Sequence, residues 1–134
     1  MSGFANMKVL VVDDETGITK LLKLMLEEEL QCQVTTLNDS VEARDLIEKT
    51  EFDVISLDHT MPRMTGMALL KKIRQGQGLN KATPILIFTG YLEDAKTADP
   101  QVYENTLLLE KPMDDDRYLR NIKIAYGMKI KNAT

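Results

Sequence analysis

Polar side chains with reactive groups directly follow four apolar runs of the sequence. The run KVLVV (8–12) is followed by Asp13, Asp14 and Glu15, and DVISL (53–57) by Asp58. PILIF (84–88) is followed by Thr89 and Gly90, and TLLLE (106–110) by Lys111 and Pro112. If the runs are strands of one parallel sheet, their carboxyl ends meet at one edge, where ligands bind in such sheets. The sequence therefore predicts three aspartates, a hydroxyl and an ammonium group in one place.

This set of groups is typical of phosphoryl transfer. Clustered aspartates repel each other and raise one another's pKa values. Lys111 supplies one positive charge, and a divalent ion that prefers oxygen ligands, such as Mg²⁺, is the natural complement for the rest. A carboxylate nucleophile, a metal ion, and a cation and hydroxyl for the remaining oxygens are what phosphoryl transfer requires.

The elements that must position these groups alternate along the chain. Four runs are nearly continuous in Val, Ile, Leu or Phe, as in parallel strands covered on both faces, while QVTTL (33–37) is typical of an edge strand. Segments with the helical period separate the runs. Their apolar stripes are Ile18, Leu21, Leu22, Met25 and Leu26; Val41, Ala43, Leu46 and Ile47; Met67, Leu69, Leu70 and Ile73; and Tyr118, Leu119, Ile122 and Tyr126. The pattern predicts a doubly wound α/β domain with right-handed crossovers.

Polar residues mark several helix ends. Asp39 or Ser40 can cap the second helix, and the acidic residues 114–116 place negative charge at the start of the last one, where the helix dipole favours it. The segment YLEDAKTADPQVYEN (91–105) is less regular, because Pro100 would cost about 3 kcal/mol inside a helix. We expect a short helix that ends near Asp99, followed by irregular chain.

Composition limits the class of protein. The chain has 134 residues, 43% hydrophobic and 28% charged, with a net charge of −4, which is typical of one soluble globular domain and gives no electrostatic reason to bind nucleic acid or an anionic membrane. Cys32 is the only cysteine, so no internal disulfide can form. The sequence shows neither a signal peptide nor an apolar stretch of membrane-spanning length, and we expect a cytoplasmic location.

Four motifs, in this order, resemble the receiver domain of two-component response regulators, of the chemotaxis-regulator kind. VLVVDDE (9–15) is similar to its acidic first loop, LDHTMPRMTG (57–66) to its phosphoacceptor loop, IFTG (87–90) to its hydroxyl-bearing strand end and LEKP (109–112) to its lysine loop. The resemblance covers residues 7–130, with 1–6 and 131–134 as tails. It implies a flavodoxin-like, five-stranded parallel sheet in the order 2-1-3-4-5, flanked by five helices.

The resemblance also implies a role for each site residue. Asp58 would accept a phosphoryl group from a histidine kinase or histidine phosphotransfer protein. Mg²⁺ would be bound directly by Asp14, Asp58 and the backbone carbonyl of Thr60, and mostly through water by Asp13. The phosphoryl oxygens would be bound by Thr89 and Lys111. Pro112 is similar to the family's cis-proline, and Gly66 to the glycine before the third helix.

The function implied is a switch that acts by protein contact. The chain would catalyse only its own phosphorylation and dephosphorylation, would contact an unknown downstream protein, and would be monomeric before phosphorylation. Alternatives are a receiver cut from a hybrid kinase or larger regulator, or a pseudo-receiver that binds constitutively. A phosphohydrolase that uses an aspartyl-phosphate would carry a second aspartate two residues after the nucleophile to protonate the leaving group, where this chain has Thr60.

The sequence departs from the family pattern at several positions. Leu108 stands where many members carry Tyr or Phe, and Glu104 and Asn105 replace the usual glycine-alanine pair. Tyr91 could shield the acyl phosphate, from which we expect a lifetime of minutes or longer. We expect His59 to face solvent or the other layer of the sheet, because adjacent residues at a strand end point to opposite sides.

Overall fold

One parallel sheet organises the chain. The computed structural model describes residues 3–92, 100–112 and 114–133. The strands are β1 (Lys8–Val12), β2 (Gln33–Leu37), β3 (Val54–Asp58), β4 (Ile85–Thr89) and β5 (Thr106–Glu110). They lie in the order β2-β1-β3-β4-β5, and every neighbouring pair is parallel. The predicted flavodoxin-like sheet is therefore confirmed, with β2 at an edge.

Helices cover both faces of this sheet. They are α1 (Thr16–Leu30), α2 (Ser40–Lys49), α3 (Gly66–Gln75) and α4 (Asp115–Ala133), together with a 3₁₀ helix at Pro100–Tyr103. The described residues thus contain four α-helices rather than the predicted five, and the predicted helix that ends near Asp99 falls on residues 93–99, outside the described ranges. The prediction of irregular chain after that helix is wrong in one respect. Pro100 opens a 3₁₀ turn, where its missing N–H costs nothing.

Side chains close the helix starts as the sequence predicts. Asp39 Oδ1 accepts a hydrogen bond of 3.0 Å from Val41 N at the start of α2. Asp114 Oδ1 accepts one of 2.8 Å from Arg117 N at the start of α4. Each bond satisfies a backbone N–H that has no partner inside its own helix.

Alternating strand residues build a core on each face. On one side the buried residues include Leu10, Val12, Ile55, Leu57, Ile85 and Ile87, packed against α2 and α3. On the other side they include Val9, Val11, Val54, Leu86 and Phe88, packed against α1 and α4. Each fully buried aliphatic side chain contributes about 1.5–3 kcal/mol. The central strands are therefore fixed in place, and their carboxyl ends with them.

The predicted apolar stripe of α1 is only partly buried. Met25 and Leu26 lie in the core, but Ile18 is 37% exposed and Leu21 55% exposed. The face of α1 that meets the sheet carries Thr19 and Leu30 in addition to Leu26. Ile18 and Leu21 lie to one side of that face, which leaves them at the surface.

A buried amide joins three elements at the amino end of the sheet. Asn80, in the loop before β4, is 1% exposed. Its Oδ1 accepts hydrogen bonds from Phe52 N (2.9 Å) and Thr83 Oγ1 (2.9 Å). Its Nδ2 donates to Ile47 O (2.6 Å) and Thr50 O (2.7 Å). The loop is thereby tied to the end of α2 and the approach to β3.

A buried guanidinium lies nearby. Arg74, on α3, donates to Lys81 O (2.9 Å), Asn105 O (3.0 Å) and Thr106 Oγ1 (3.1 Å). Burial lowers the pKa of Arg74 to about 10, although the charge of Glu104 opposes the shift. Asn105 adopts a left-handed φ of 54°, which asparagine tolerates better than most residues. Arg74 therefore holds α3 to the start of β5.

Residues before β1 contact the last helix. The ring of Phe4 lies 5.8 Å from that of Tyr126, and Met7 N donates to Phe4 O at 3.0 Å. The domain boundaries 7 and 130 remain a prediction. Among the described residues, no helix is both long enough and apolar enough to cross a membrane.

Candidate functional site

Three carboxylates meet at the carboxyl edge of the sheet. Asp13 and Asp14 follow β1, and Asp58 ends the adjacent strand β3, with Val12 paired to Leu57 in register. One carboxylate oxygen from each aspartate lies within 4.8 Å of the others. Asp13 and Asp58 are buried and Asp14 is exposed. The structure thus brings together the three aspartates that the sequence places after different strands.

The environment of Asp13 is unfavourable for its charge. Burial, together with the negative charges of Asp58 and Asp14, raises the pKa of Asp13 to about 6. A hydrogen bond of 2.9 Å from Glu15 N and the charge of Lys111 act in the opposite direction but do not cancel the rise. A bound cation would relieve this penalty, because an opposite charge nearby favours the ionised form.

Lys111 is the cation that the chain itself supplies to Asp58. Its Nζ lies 2.6 Å from Asp58 Oδ1, although among the described residues no donor meets that oxygen with hydrogen-bond geometry. Burial alone would lower the pKa of Lys111, but contact with Asp58 and the charges of Asp58, Asp13 and Glu15 outweigh it, so the pKa is raised. The Lys111–Pro112 peptide bond is cis, as the resemblance implies.

Thr89 ends β4 beside the acidic cluster. Its neighbour Phe88 pairs with Asp58, and Thr89 itself is buried. The Thr89 hydroxyl accepts a hydrogen bond from Tyr91 N (3.2 Å) and donates one to Tyr91 O (3.0 Å). A Cβ added at Gly90 would meet nothing within 4 Å, so the chain is open at this point. The side chain of Tyr91 is 73% exposed.

The loop after Asp58 approaches α3 closely. A Cβ built on Gly66 would lie 2.5 Å from Asp58 O and 2.9 Å from His59 Cα, which explains why glycine stands at the first position of the helix. Thr60 is exposed. His59 is 8% exposed, and its Nδ1 accepts a hydrogen bond from Met67 N at 3.3 Å. The expectation that the His59 side chain faces the other layer of the sheet is correct, and the expectation that it faces solvent is wrong.

A groove that the sequence did not predict begins at the acidic cluster. It has a volume of about 530 Å³ and lies between α1 and α4. Asp58 and Lys111 form part of its wall, and Ile18, Leu21 and Phe88 supply much of its apolar lining. The sequence did contain a signal for this groove, because α1 carries more apolar residues than one buried face can hold.

The donor set fits a hard divalent cation. Carboxylate oxygens are the ligands that Mg²⁺ prefers, usually one or two of them with several waters retained. Here the described residues offer three carboxylates, one of them at the surface, and one is held at an energetic cost that a cation would remove. Asp13, Asp14 and Asp58 can therefore hold Mg²⁺.

Comparisons with known proteins agree with this geometry. A family model described as the response regulator receiver domain matches residues 9–123. The protein-glutamate methylesterase/protein-glutamine glutaminase 2 of Pseudomonas aeruginosa is 37% identical over 97 residues, 72% of this chain and 27% of that protein. Chemotaxis protein CheY-3 of Vibrio cholerae is 34% identical over 84 residues, 63% of this chain and 64% of that protein.

A solved structure of a receiver domain has the same fold as this chain. The receiver domain of the Francisella response regulator 1452 superposes with a TM-score of 0.75 at 29% identity, over 92% of this chain and 98% of that one. The chain spans about a quarter of the length of the methylesterase and less than two thirds of CheY-3. The similarity therefore concerns the receiver portion of the larger relative.

Proposed function

This chain belongs to the family of response regulator receiver domains of two-component signalling, and from this premise we propose that Asp58 is its phosphoacceptor. The observation that carries the proposal is the position of Asp58. Its carboxylate lies 2.6 Å from the Lys111 ammonium and beside Asp13 and Asp14, at the mouth of an open groove. No other described carboxylate combines a lysine contact this short with two further aspartates.

The reaction proposed is transfer of a phosphoryl group from a phosphohistidine. One oxygen of the Asp58 carboxylate attacks phosphorus, the new O–P bond forms as the P–N bond breaks, and the electron pair of that bond returns to the histidine nitrogen, which takes a proton from water. Lys111 holds the carboxylate at the groove and then faces the phosphoryl oxygens. Mg²⁺, held by Asp13, Asp14, Asp58 and the Thr60 carbonyl, would neutralise negative charge on the transferring group.

Thr89 is proposed to bind a phosphoryl oxygen. Its hydroxyl now donates its single hydrogen to Tyr91 O and accepts a hydrogen bond from Tyr91 N, so the donated bond must be exchanged for one to the phosphoryl oxygen. A charge-assisted hydrogen bond is about twice as strong as a neutral one, which favours the exchange once the phosphoryl group is present.

The phosphodonor proposed is a histidine kinase or a histidine phosphotransfer protein, docked over α1. Ile18 and Leu21 are exposed on this helix, and the groove that they line reaches Asp58. Apolar surface next to the acceptor suits a partner that must place a phosphohistidine there and exclude water. We place the protein in the cytoplasm, without direct contact to nucleic acid or membrane, as a monomer before phosphorylation that signals to a protein target.

The proposal treats the chain as a switch and not as an enzyme acting on another substrate. Similarity to the methylesterase ends within its receiver portion, so that activity is not carried over. A second candidate is a constitutive pseudo-receiver. Its supporting observation is Leu108, which packs against the aliphatic core of the α2 and α3 side, where many family members carry an aromatic ring.

Intact-mass measurement after incubation with Mg²⁺ and acetyl phosphate tests the proposal. We expect the wild type to gain the mass of one phosphoryl group and Asp58→Asn to gain none. Asp45→Asn, which removes an exposed carboxylate on α2, is the matched control and keeps the adduct. Failure of the wild type to gain mass would support the pseudo-receiver. The expected lifetime of minutes is checked in the same samples, where decay within seconds contradicts shielding by Tyr91.

A further inference from the structure

His59 makes four hydrogen bonds, which join the end of β3 to β4, to its own loop and to α3. Its N–H donates to Phe88 O at 2.7 Å and extends the pairing of β3 with β4 one residue beyond Asp58. Its carbonyl accepts from Met61 N (3.1 Å) and Gly66 N (2.9 Å). Its ring Nδ1 accepts from Met67 N (3.3 Å). The bonding capacity of the backbone and one ring nitrogen are therefore all used to hold this loop.

These contacts close the amino-terminal end of α3. The first three N–H groups of a helix that starts at Gly66 have no partner within the helix. The carbonyl and ring of His59 accept from Gly66 and Met67, and Thr65 Oγ1 accepts from Ala68 N at 3.1 Å. His59 thus supplies two of the three acceptors, although it lies seven residues before the helix.

The same contacts fix the direction of the Thr60 carbonyl. In a trans peptide the carbonyl and the following N–H point in opposite directions. The N–H of Met61 points to His59 O, so the carbonyl of Thr60, which belongs to the same peptide, must point away from His59 O. The position of His59 O depends in turn on Gly66 and, through the ring, on Met67.

We propose that His59 is a positioning residue for the divalent cation. Its ring accepts from Met67 N and anchors the loop to α3, and this anchorage holds the Thr60–Met61 peptide in the orientation that presents the Thr60 carbonyl to the cation. The inference rests on the proposed function, which places Mg²⁺ at this carbonyl. It assigns a task to a side chain that makes no contact with the cation.

The ring must offer a lone pair at Nδ1, so its proton lies on Nε2. This requirement defines the test variants. His59→Asn places the amide Oδ1 where Nδ1 now lies and keeps the acceptor. His59→Leu fills a similar volume without an acceptor, and His59→Gln carries its amide one bond further from the backbone.

The experiment is calorimetric titration of the full chain with Mg²⁺ alone, together with the thermal unfolding midpoint in metal-free buffer. We expect His59→Leu and His59→Gln to weaken Mg²⁺ binding about fivefold, the equivalent of one neutral hydrogen bond, and His59→Asn to remain within about twofold of the wild type. If His59→Leu does not fold, the comparison of Asn with Gln decides.

Thr65→Val separates positioning from general stability. It removes a hydrogen bond from the same helix end, to Ala68 N, without touching the Thr60–Met61 peptide. We expect a lower unfolding midpoint and an unchanged Mg²⁺ affinity. The inference is overturned if His59→Gln lowers the midpoint while Mg²⁺ affinity stays at the wild-type value, or if Thr65→Val weakens Mg²⁺ binding equally.

Failure of the proposed function has a different signature. In that case the wild type binds no Mg²⁺ or takes no phosphoryl group from acetyl phosphate in the mass measurement. A wild type that does both, combined with His59 variants that bind Mg²⁺ normally, removes the role of His59 and leaves the phosphoacceptor intact.

Discussion

At the amino end of the sheet, both oxygen lone pairs and both N–H groups of the Asn80 amide are paired; at the carboxyl end, three carboxylates share one lysine. Asn80 is buried, as are Asp13 and Asp58, so exposure to solvent does not account for the difference between these side chains. Of the buried side-chain nitrogen and oxygen atoms in the described residues, only Arg74 Nε at the amino end lacks a hydrogen-bond partner. At the carboxyl end, burial and the neighbouring negative charges raise the pKa of Asp13.

The two ends therefore serve different purposes. Satisfied buried polar groups add stability and fix a unique arrangement, whereas unsatisfied ones cost free energy until a ligand arrives. The core between them keeps the distance between the ends constant, since both are attached to the same five strands. Stability is concentrated at one edge and binding capacity at the other.

Asn80→Ala is expected to give the largest effect. It leaves buried backbone groups at Ile47, Thr50 and Phe52 without partners and should lower the free energy of unfolding by about 4 kcal/mol, measured by urea denaturation. Asn121→Ala removes an amide that bonds only within α4, to Arg117 O, and should cost less than about 1 kcal/mol. A loss below 1 kcal/mol for Asn80→Ala would contradict the role given to the amino end.

Gly66→Ala tests how tightly the loop after Asp58 packs against α3 at the carboxyl end of the sheet. The added Cβ would lie 2.5 Å from Asp58 O, so α3 must move, at a cost of about 3 kcal/mol and with loss of phosphoryl uptake. Gly127→Ala in α4 meets nothing within 4 Å and should stabilise by about 0.5 kcal/mol. Urea denaturation and intact mass check both variants, and equal stability for the two would show a carboxyl end without tight packing.

Tyr118→Phe examines a buried polar pair between the two ends. Tyr118 OH and Ser56 Oγ lie 3.0 Å apart, and losing the bond should cost about 1.5 kcal/mol at neutral pH. Burial raises the pKa of Tyr118 despite this bond. On raising the pH, Tyr118 therefore loses its proton earlier in the unfolded state than in the folded one. The contribution of its hydroxyl to the free energy of unfolding is complete below about pH 10 and falls progressively above it. The wild type should lose more stability than Tyr118→Phe between pH 9 and 11, in urea titrations at each pH; parallel curves would refute this.

Asp13→Asn should have the smallest effect and the opposite sign. In metal-free buffer it removes a buried charge near Asp58 and keeps an oxygen for Glu15 N, so the free energy of unfolding should rise by about 1 kcal/mol. Mg²⁺ should stabilise the variant less than the wild type. Asp45→Asn serves as control with no change. Destabilisation of Asp13→Asn without metal would mean that the carboxyl end is not strained.

Sequence patterns predicted the strands and the cluster of aspartates because both follow from where the apolar runs end, whereas the order of the strands was predicted from the resemblance to receiver domains. A buried parallel strand has a continuous apolar signature, and the residue after it must lie at the carboxyl edge. The contacts of Asn80 with Ile47 O and of Arg74 with Asn105 O have no such signature, since these backbone groups are distant in sequence and only folding brings them together. The predicted apolar stripe of α1 is only partly buried for a related reason. Helical periodicity identifies the apolar residues but does not show which of them contact the sheet.

The contact between Phe4 and Tyr126 brings the segment before β1 and the last helix to the same flank of the domain. A short glycine-serine linker could join them, which would allow the polypeptide to be reopened elsewhere, for example between Gly76 and Gly78. Such a permutant would keep the strand neighbours while changing the order in which they are synthesised. It would show whether the site assembles from spatial neighbours alone or needs its amino-terminal strand to be made first.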